Sequence, residues 1–133
     1  MKALDTNILI RFLLNDEPEQ SDKVHNLFLN AQKREERLFV GQLTLLETVW
    51  VLESRYRFSR ENLLSSLKKL FSLPVLAFEK AEMLEEYAEI AMSSGVELSD
   101  LLIALSAKSS HCETTLTFDR KAAKESKLFH LLT

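Results

Sequence analysis

Short apolar runs alternate with stretches of helical periodicity from one end of this chain to the other. MKAL at positions 1–4, RLFVG at 37–41, PVLAF at 74–78 and TTLTF at 114–118 read as strands, with LFHLL at 128–132 as a candidate fifth. TNILIRFLL carries Ile8, Leu9, Phe12 and Leu13 at helical spacing. DKVHNLFLNAQKR repeats Val24, Leu27, Phe28 and Ala31 at i, i+3, i+4 and i+7. Between these two helices NDEPEQS breaks the pattern, with Pro18 and an expected helix cap at Ser21.

Further on, LTLLETVWVLESRY reads as a mostly apolar helix, and SRENLLSSLKKLFSL as an amphipathic one capped by Ser59 and ended by Pro74. EKAEMLEEYAEIAMSSG is a helix with an acidic outer face that ends at Gly95. SDLLIALSAKSS is an apolar helix entered at Ser99 and Asp100, and DRKAAKES a short helix. Such alternation buries both faces of a parallel sheet, so the expected fold is an α/β sandwich built on one domain, residues 1–133. Sites in such sheets form beyond the carboxyl ends of the strands.

Composition narrows the function classes. Two glycines, Gly41 and Gly95, are too few for a phosphate-binding loop or a dinucleotide-binding turn. A formal charge of −3 disfavours a broad basic surface for nucleic acid, though not local grip on one strand. A cluster of cation-binding carboxylates would itself lower that charge. With one cysteine, Cys112, no internal disulfide is available. No apolar run reaches the roughly 20 residues of a membrane span, and Asp5 and Arg11 interrupt the N-terminus too early for a secretory signal. These features predict a cytoplasmic protein with no membrane association.

The chemistry is carried by acids. Asp5 follows the first strand and Asp119 the fourth; Asp100 opens a helix, and Glu47 lies about one turn into another with apolar neighbours on both sides. Taken singly, Asp5, Asp100 and Asp119 are good helix caps, worth about 1 kcal/mol each. Glu47 in LLETVWVL invites a different reading, because an unpaired buried carboxylate is costly. Four carboxylates gathered over one sheet edge would repel, and some would stay protonated unless a cation joined them. Mg²⁺ and Mn²⁺ take oxygen ligands of this kind, and a pair of such ions suits in-line phosphodiester displacement. Thr6, Asn7 and Thr117 stand beside Asp5 and Asp119 as groups that can orient carboxylates or water.

The blocks LDTNILIRFLL, LTLLETVWVLES, ELSDLLIALSA and TLTFDRK, in that order over nearly the whole chain, resemble the four motif blocks of PIN-domain proteins. Among these the resemblance is nearest to VapC-type toxin ribonucleases of bacterial toxin–antitoxin pairs. It implies a three-layer α/β/α sandwich with a central, mainly parallel sheet of four or five strands. It also implies Mg²⁺- or Mn²⁺-dependent cleavage of RNA, a homodimer, and a VapB-like antitoxin whose tail covers the active site. By position, Asp5, Glu47, Asp100 and Asp119 match the family's acidic quartet. Asp5 and Asp100 would be the most direct metal ligands, Glu47 would complete the shell or position water, and Asp119 would support a second metal. Thr117 matches the small polar residue before the last acid. Leu101 departs from the pattern, since many relatives have a small residue there, and would tighten the pocket. Glu97, one turn before Asp100, is a candidate addition to the acidic edge.

Other residues have ordinary readings. His25, His111 and His130 lack the spacing of a zinc site, Cys112 reads as a small, partly buried side chain, and Trp50 as core or interface. Arg120 and Lys121, just after Asp119, and Arg11 in the first helix are candidate RNA contacts, balanced against a solvated helix face. An aspartyl-phosphate mechanism at Asp5 is disfavoured, because Asn7 stands where haloacid-dehalogenase-like phosphatases have a second Asp. The remaining alternative is a catalytically silent PIN-like module that binds RNA or protein.

Overall fold

Only two residues, Leu4 and Asp5, separate the first strand from the helix that Thr6 begins, and this early turn sets the plan of the N-terminal part of the molecule. The computed structural model describes residues 1–133. It divides into two compact units, Met1–Glu79 and Lys80–Thr133.

In the first unit the order is β1 (Lys2–Ala3), α1 (Thr6–Leu14), α2 (Pro18–Lys33), β2 (Leu38–Val40), α3 (Gln42–Ser54), α4 (Arg60–Phe71) and β3 (Leu76–Phe78). The strands form a parallel sheet in the order β1-β2-β3, with Ala3 opposite Phe39 and Phe39 opposite Ala77. Both crossovers step across the sheet in the same direction. Right-handed connections therefore lay α1 to α4 on one face. The contacts of α1 with α2 and α3, and of α3 with α4, agree with that layer. Leu9, Ile10 and Phe12 of α1, Val24 and Phe28 of α2, Leu45, Val49 and Leu52 of α3, and Leu63, Leu67 and Leu70 of α4 are all buried. Each fully buried leucine of this kind contributes about 1.5–3 kcal/mol.

The junction of α1 and α2 departs from expectation. Ser21 is not a cap: α2 starts at Pro18 with Glu17 as its N-cap residue. Proline's fixed φ suits the first helical position, so the helix begins four residues early. Ser21 is then turned inward, fully buried, and its hydroxyl donates to the Arg11 carbonyl at 3.2 Å. Asn15 ends α1 in the left-handed region (φ 53°), which asparagine tolerates better than most residues.

The second unit holds α5 (Ala81–Ser93), α6 (Leu98–Ser109), β4 (Thr115–Thr117), α7 (Arg120–Glu125) and β5 (Phe129–Leu131). The helix expected to open at Ser99 starts one residue earlier, at Leu98, after Glu97 as its N-cap residue. Helices α5 and α6 pack together, and the buried Tyr87 hydroxyl donates to the Leu98 carbonyl at 2.9 Å. Strands β4 and β5 pair in parallel, Thr115 opposite Phe129 and Thr117 opposite Leu131.

All five expected strands form, but not one sheet of four or five: three strands make one hydrogen-bonded sheet and two make a separate pair. The strands are two or three residues long, so each carries few ladder bonds. No helix is long and apolar enough to cross a membrane.

Candidate active site

Asp5 sits between β1 and α1 with extended backbone, and its Oδ1 accepts from the Thr6 N–H at 2.7 Å. One carboxylate oxygen thus holds the helix start, and the exposed side chain has a second oxygen for a ligand. Thr6 is buried, and its hydroxyl donates to Glu47 Oε1. This bond ties the start of α1 to the second turn of α3. It also fixes one oxygen of Glu47 close to the residue that follows Asp5.

Glu47 does not lie in the apolar surroundings its neighbours suggested; it is exposed. The apolar residues beside it belong to different faces of α3. Leu45, Thr48, Val49 and Leu52 point inward, whereas Leu43, Glu47 and Trp50, at i, i+4 and i+7, form an outward stripe. Trp50 is 57% exposed, so within this chain it is not core. The expected partial burial of Cys112 also fails, since this thiol is exposed.

In the second unit Asp119 caps α7. Its Oδ1 accepts from the Ala122 N–H at 3.1 Å, while its own N–H donates to Thr117 Oγ1 at 3.0 Å. Thr117 therefore orients the backbone that carries Asp119. Asp100, the third residue of α6, caps nothing and is half-buried. Burial pushes its carboxyl above the ordinary value, and the negative charges of Glu97 and then Asp119 push it further. Glu97 makes no capping bond with its side chain, which leaves its charge to act on Asp100. The spacing of Glu97 and Asp100 hinted at this, but the interaction depended on the helix starting at Leu98. Leu101 is wholly buried.

The acids thus fall into two sets, each described within its own unit: Asp5 with Glu47 through Thr6, and Asp100 with Glu97 and Asp119. Within neither unit do three His, Cys, Asp or Glu side chains group to hold one ion among them. Arg120 and Lys121 are exposed on the first turn of α7, directly after Asp119. Arg11 is held by Asp16 at 2.7 Å and lies 3.6 Å from Glu17. Asn7 is exposed on the first turn of α1.

Residues 2–127 match the family model of the PIN domain. The chain belongs to the PIN-domain family. A VapC ribonuclease of Aquifex aeolicus (strain VF5) is similar to this PIN domain, 25% identical over 124 residues that cover 93% of this chain and 91% of that protein. The α/β fold with parallel strand pairing accords with the expectation drawn from the alternating strands and helices.

Proposed function

We propose that this PIN domain is a Mg²⁺- or Mn²⁺-dependent endoribonuclease, the toxin of a VapBC-type toxin–antitoxin pair. It would act as a single cytoplasmic domain, as a homodimer, and under control of a VapB-like antitoxin. The observation that carries this reading is the similarity to a VapC ribonuclease along nearly the whole of both chains. Asp5, Glu47, Asp100 and Asp119 are assigned as its acidic residues and metal ligands.

The donor set fits a hard divalent cation. Mg²⁺ is commonly held by only one or two carboxylates, with water completing an octahedron, so neither set needs a third protein ligand. Burial, and after it the charges of Glu97 and Asp119, disfavour the ionised form of Asp100, and a nearby cation would favour it. When bound, such an ion supplies Lewis-acid stabilisation of the charge that builds on the phosphodiester. The chain's own residues do the rest. Thr6 holds Glu47 Oε1, leaving Oε2 to complete the metal shell or to position the attacking water. Thr117 and the start of α7 hold Asp119 in place. Arg120, Lys121 and Arg11 supply positive charge for the phosphates of a single strand.

The decisive experiment is cleavage of a mixed structured RNA with Mg²⁺, with Mn²⁺ and with EDTA, run beside Asp100→Asn and Asp5→Asn. We expect cutting that needs the metal and is lost in both variants while their folds persist. Cutting at an equal rate by either variant would refute the site assignment. If nothing cuts but Mn²⁺ still binds by calorimetry, the domain is a binding module rather than a nuclease.

A further inference from the structure

A groove of about 440 Å³ lies between α1 and α2, within the first unit. Asn7, Ile8 and Arg11 line it from α1, Gln20, Lys23 and Val24 from α2, and Glu17, the N-cap residue of α2, lines it as well. Its size falls in the range of small-ligand pockets, about 300–1,000 Å³. Two carboxamides, two cations, two aliphatic side chains and one carboxylate, Glu17, which lies beside Arg11, face one space. That mixture suits a flat heterocycle with polar edges joined to an anionic group, and it suits an aliphatic ligand poorly.

Arg11 provides a second observation. Its guanidinium is tied to Asp16 through Nη1, but its Nε–H is buried and makes no hydrogen bond. The nearest carboxylate oxygen, Glu17 Oε2, is at 3.6 Å, an ion-pair distance too long for a hydrogen bond. Buried donors without acceptors are uncommon, and this one belongs to a residue that lines the groove. The groove also begins beside the candidate site. Asn7 is two residues after Asp5, and Arg11 is about one turn, roughly 6 Å, further along the same helix.

We infer that this groove is a nucleotide subsite, taking one unpaired base of an RNA strand whose neighbouring phosphate lies at Asp5. The inference rests on the ribonuclease reading and extends it to substrate selection. Asn7 and Gln20 read the base edge through their amides, as carboxamides do when paired to a base in two places. Lys23 and Arg11 face the flanking phosphates. Lys23 is free enough to do so, since its only ion pair is an exposed contact of 3.8 Å with Glu19. No adjacent sequence block marked Gln20 and Lys23. They come into line with Asn7 and Arg11 only because α1 packs on α2.

The test uses the full chain in EDTA, so that RNA stays intact, with the four homotetraribonucleotides as probes. Binding is followed by amide chemical shifts. The expected result is shifts centred on Asn7, Arg11, Gln20 and Lys23, with one base bound best. Gln20→Ala should weaken that best probe roughly tenfold and level the four affinities. Lys23→Ala should weaken all four alike and reduce the slope of log affinity against log salt by about 0.7. Both side chains are exposed, so neither change threatens the fold. Absence of binding, shifts centred elsewhere, or unchanged discrimination in Gln20→Ala would overturn the subsite. Because binding is read without cleavage, groove binding in a protein that never cuts would sink the nuclease and spare the subsite. Cutting by a protein whose groove ignores RNA would do the reverse.

Discussion

Asp5, Asp100 and Asp119 look alike in sequence, each beside a helix start, yet the structure gives them different environments. Asp5 and Asp119 each commit one oxygen to a backbone N–H, so capping and ligation are compatible uses of one carboxylate. Asp100 caps nothing and sits half-buried beside two other acids. Its folded-state proton affinity is raised above the ordinary value of 3.8, so its ionisation penalises the fold at neutral pH. The penalty fades as pH falls and is gone below the unfolded value. In EDTA, Asp100→Asn should therefore melt higher than the parent at pH 7, with the gain vanishing toward about pH 3. Equal melting temperatures at pH 7 would show that the charge is not strained. Glu47 carries the opposite lesson. Its apolar neighbours in LLETVWVL suggested burial, but it lies on the outward stripe of α3, where a charge has ready access to water.

Among the elements, α7 lets the structural and chemical uses of one residue be separated. It is only six residues long, and its N-cap is Asp119. Asn caps a helix about as well as Asp, whereas Ala caps poorly and costs about 1 kcal/mol. Asp119→Asn should keep the stability of the parent in urea unfolding and lose RNA cleavage. Asp119→Ala should lose cleavage and about 1 kcal/mol as well. A stable, fully active Asp119→Asn would leave Asp119 as a cap alone. Helix positions were largely legible from periodicity, because burying one face of a helix imposes its spacing on the sequence. Where the structure differs, as at Ser21, a local rule was outweighed by another: Pro18 at the first helical position started α2 before the serine was reached.

At the scale of the whole molecule, the chain divides by internal contacts at Glu79 and Lys80, yet the family match runs from residue 2 to 127 across that division. A domain that is inherited as one piece is expected to unfold as one. Scanning calorimetry of the intact chain should show a single transition with calorimetric and van't Hoff enthalpies equal. Two transitions would mean that each unit folds independently, and the single-domain reading of residues 1–133 would fail.

Alternating strand and helix patterns were enough to anticipate an α/β fold with seven helices and five strands, and four spaced acids were enough to nominate candidate site residues. Each of those features is local: periodicity reports a buried face, and a cap or a proline acts within one turn. What each acid touches is not local. The bond from Thr6 to Glu47 joins residues 41 apart in sequence, and the pressure of Glu97 and Asp119 on Asp100 depends on how α6 and β4 are placed. The groove between α1 and α2 exists only because those helices pack with Asn7, Arg11, Gln20 and Lys23 turned to one side. Side-chain direction across packed elements follows from crossing angle and register, which no single segment encodes.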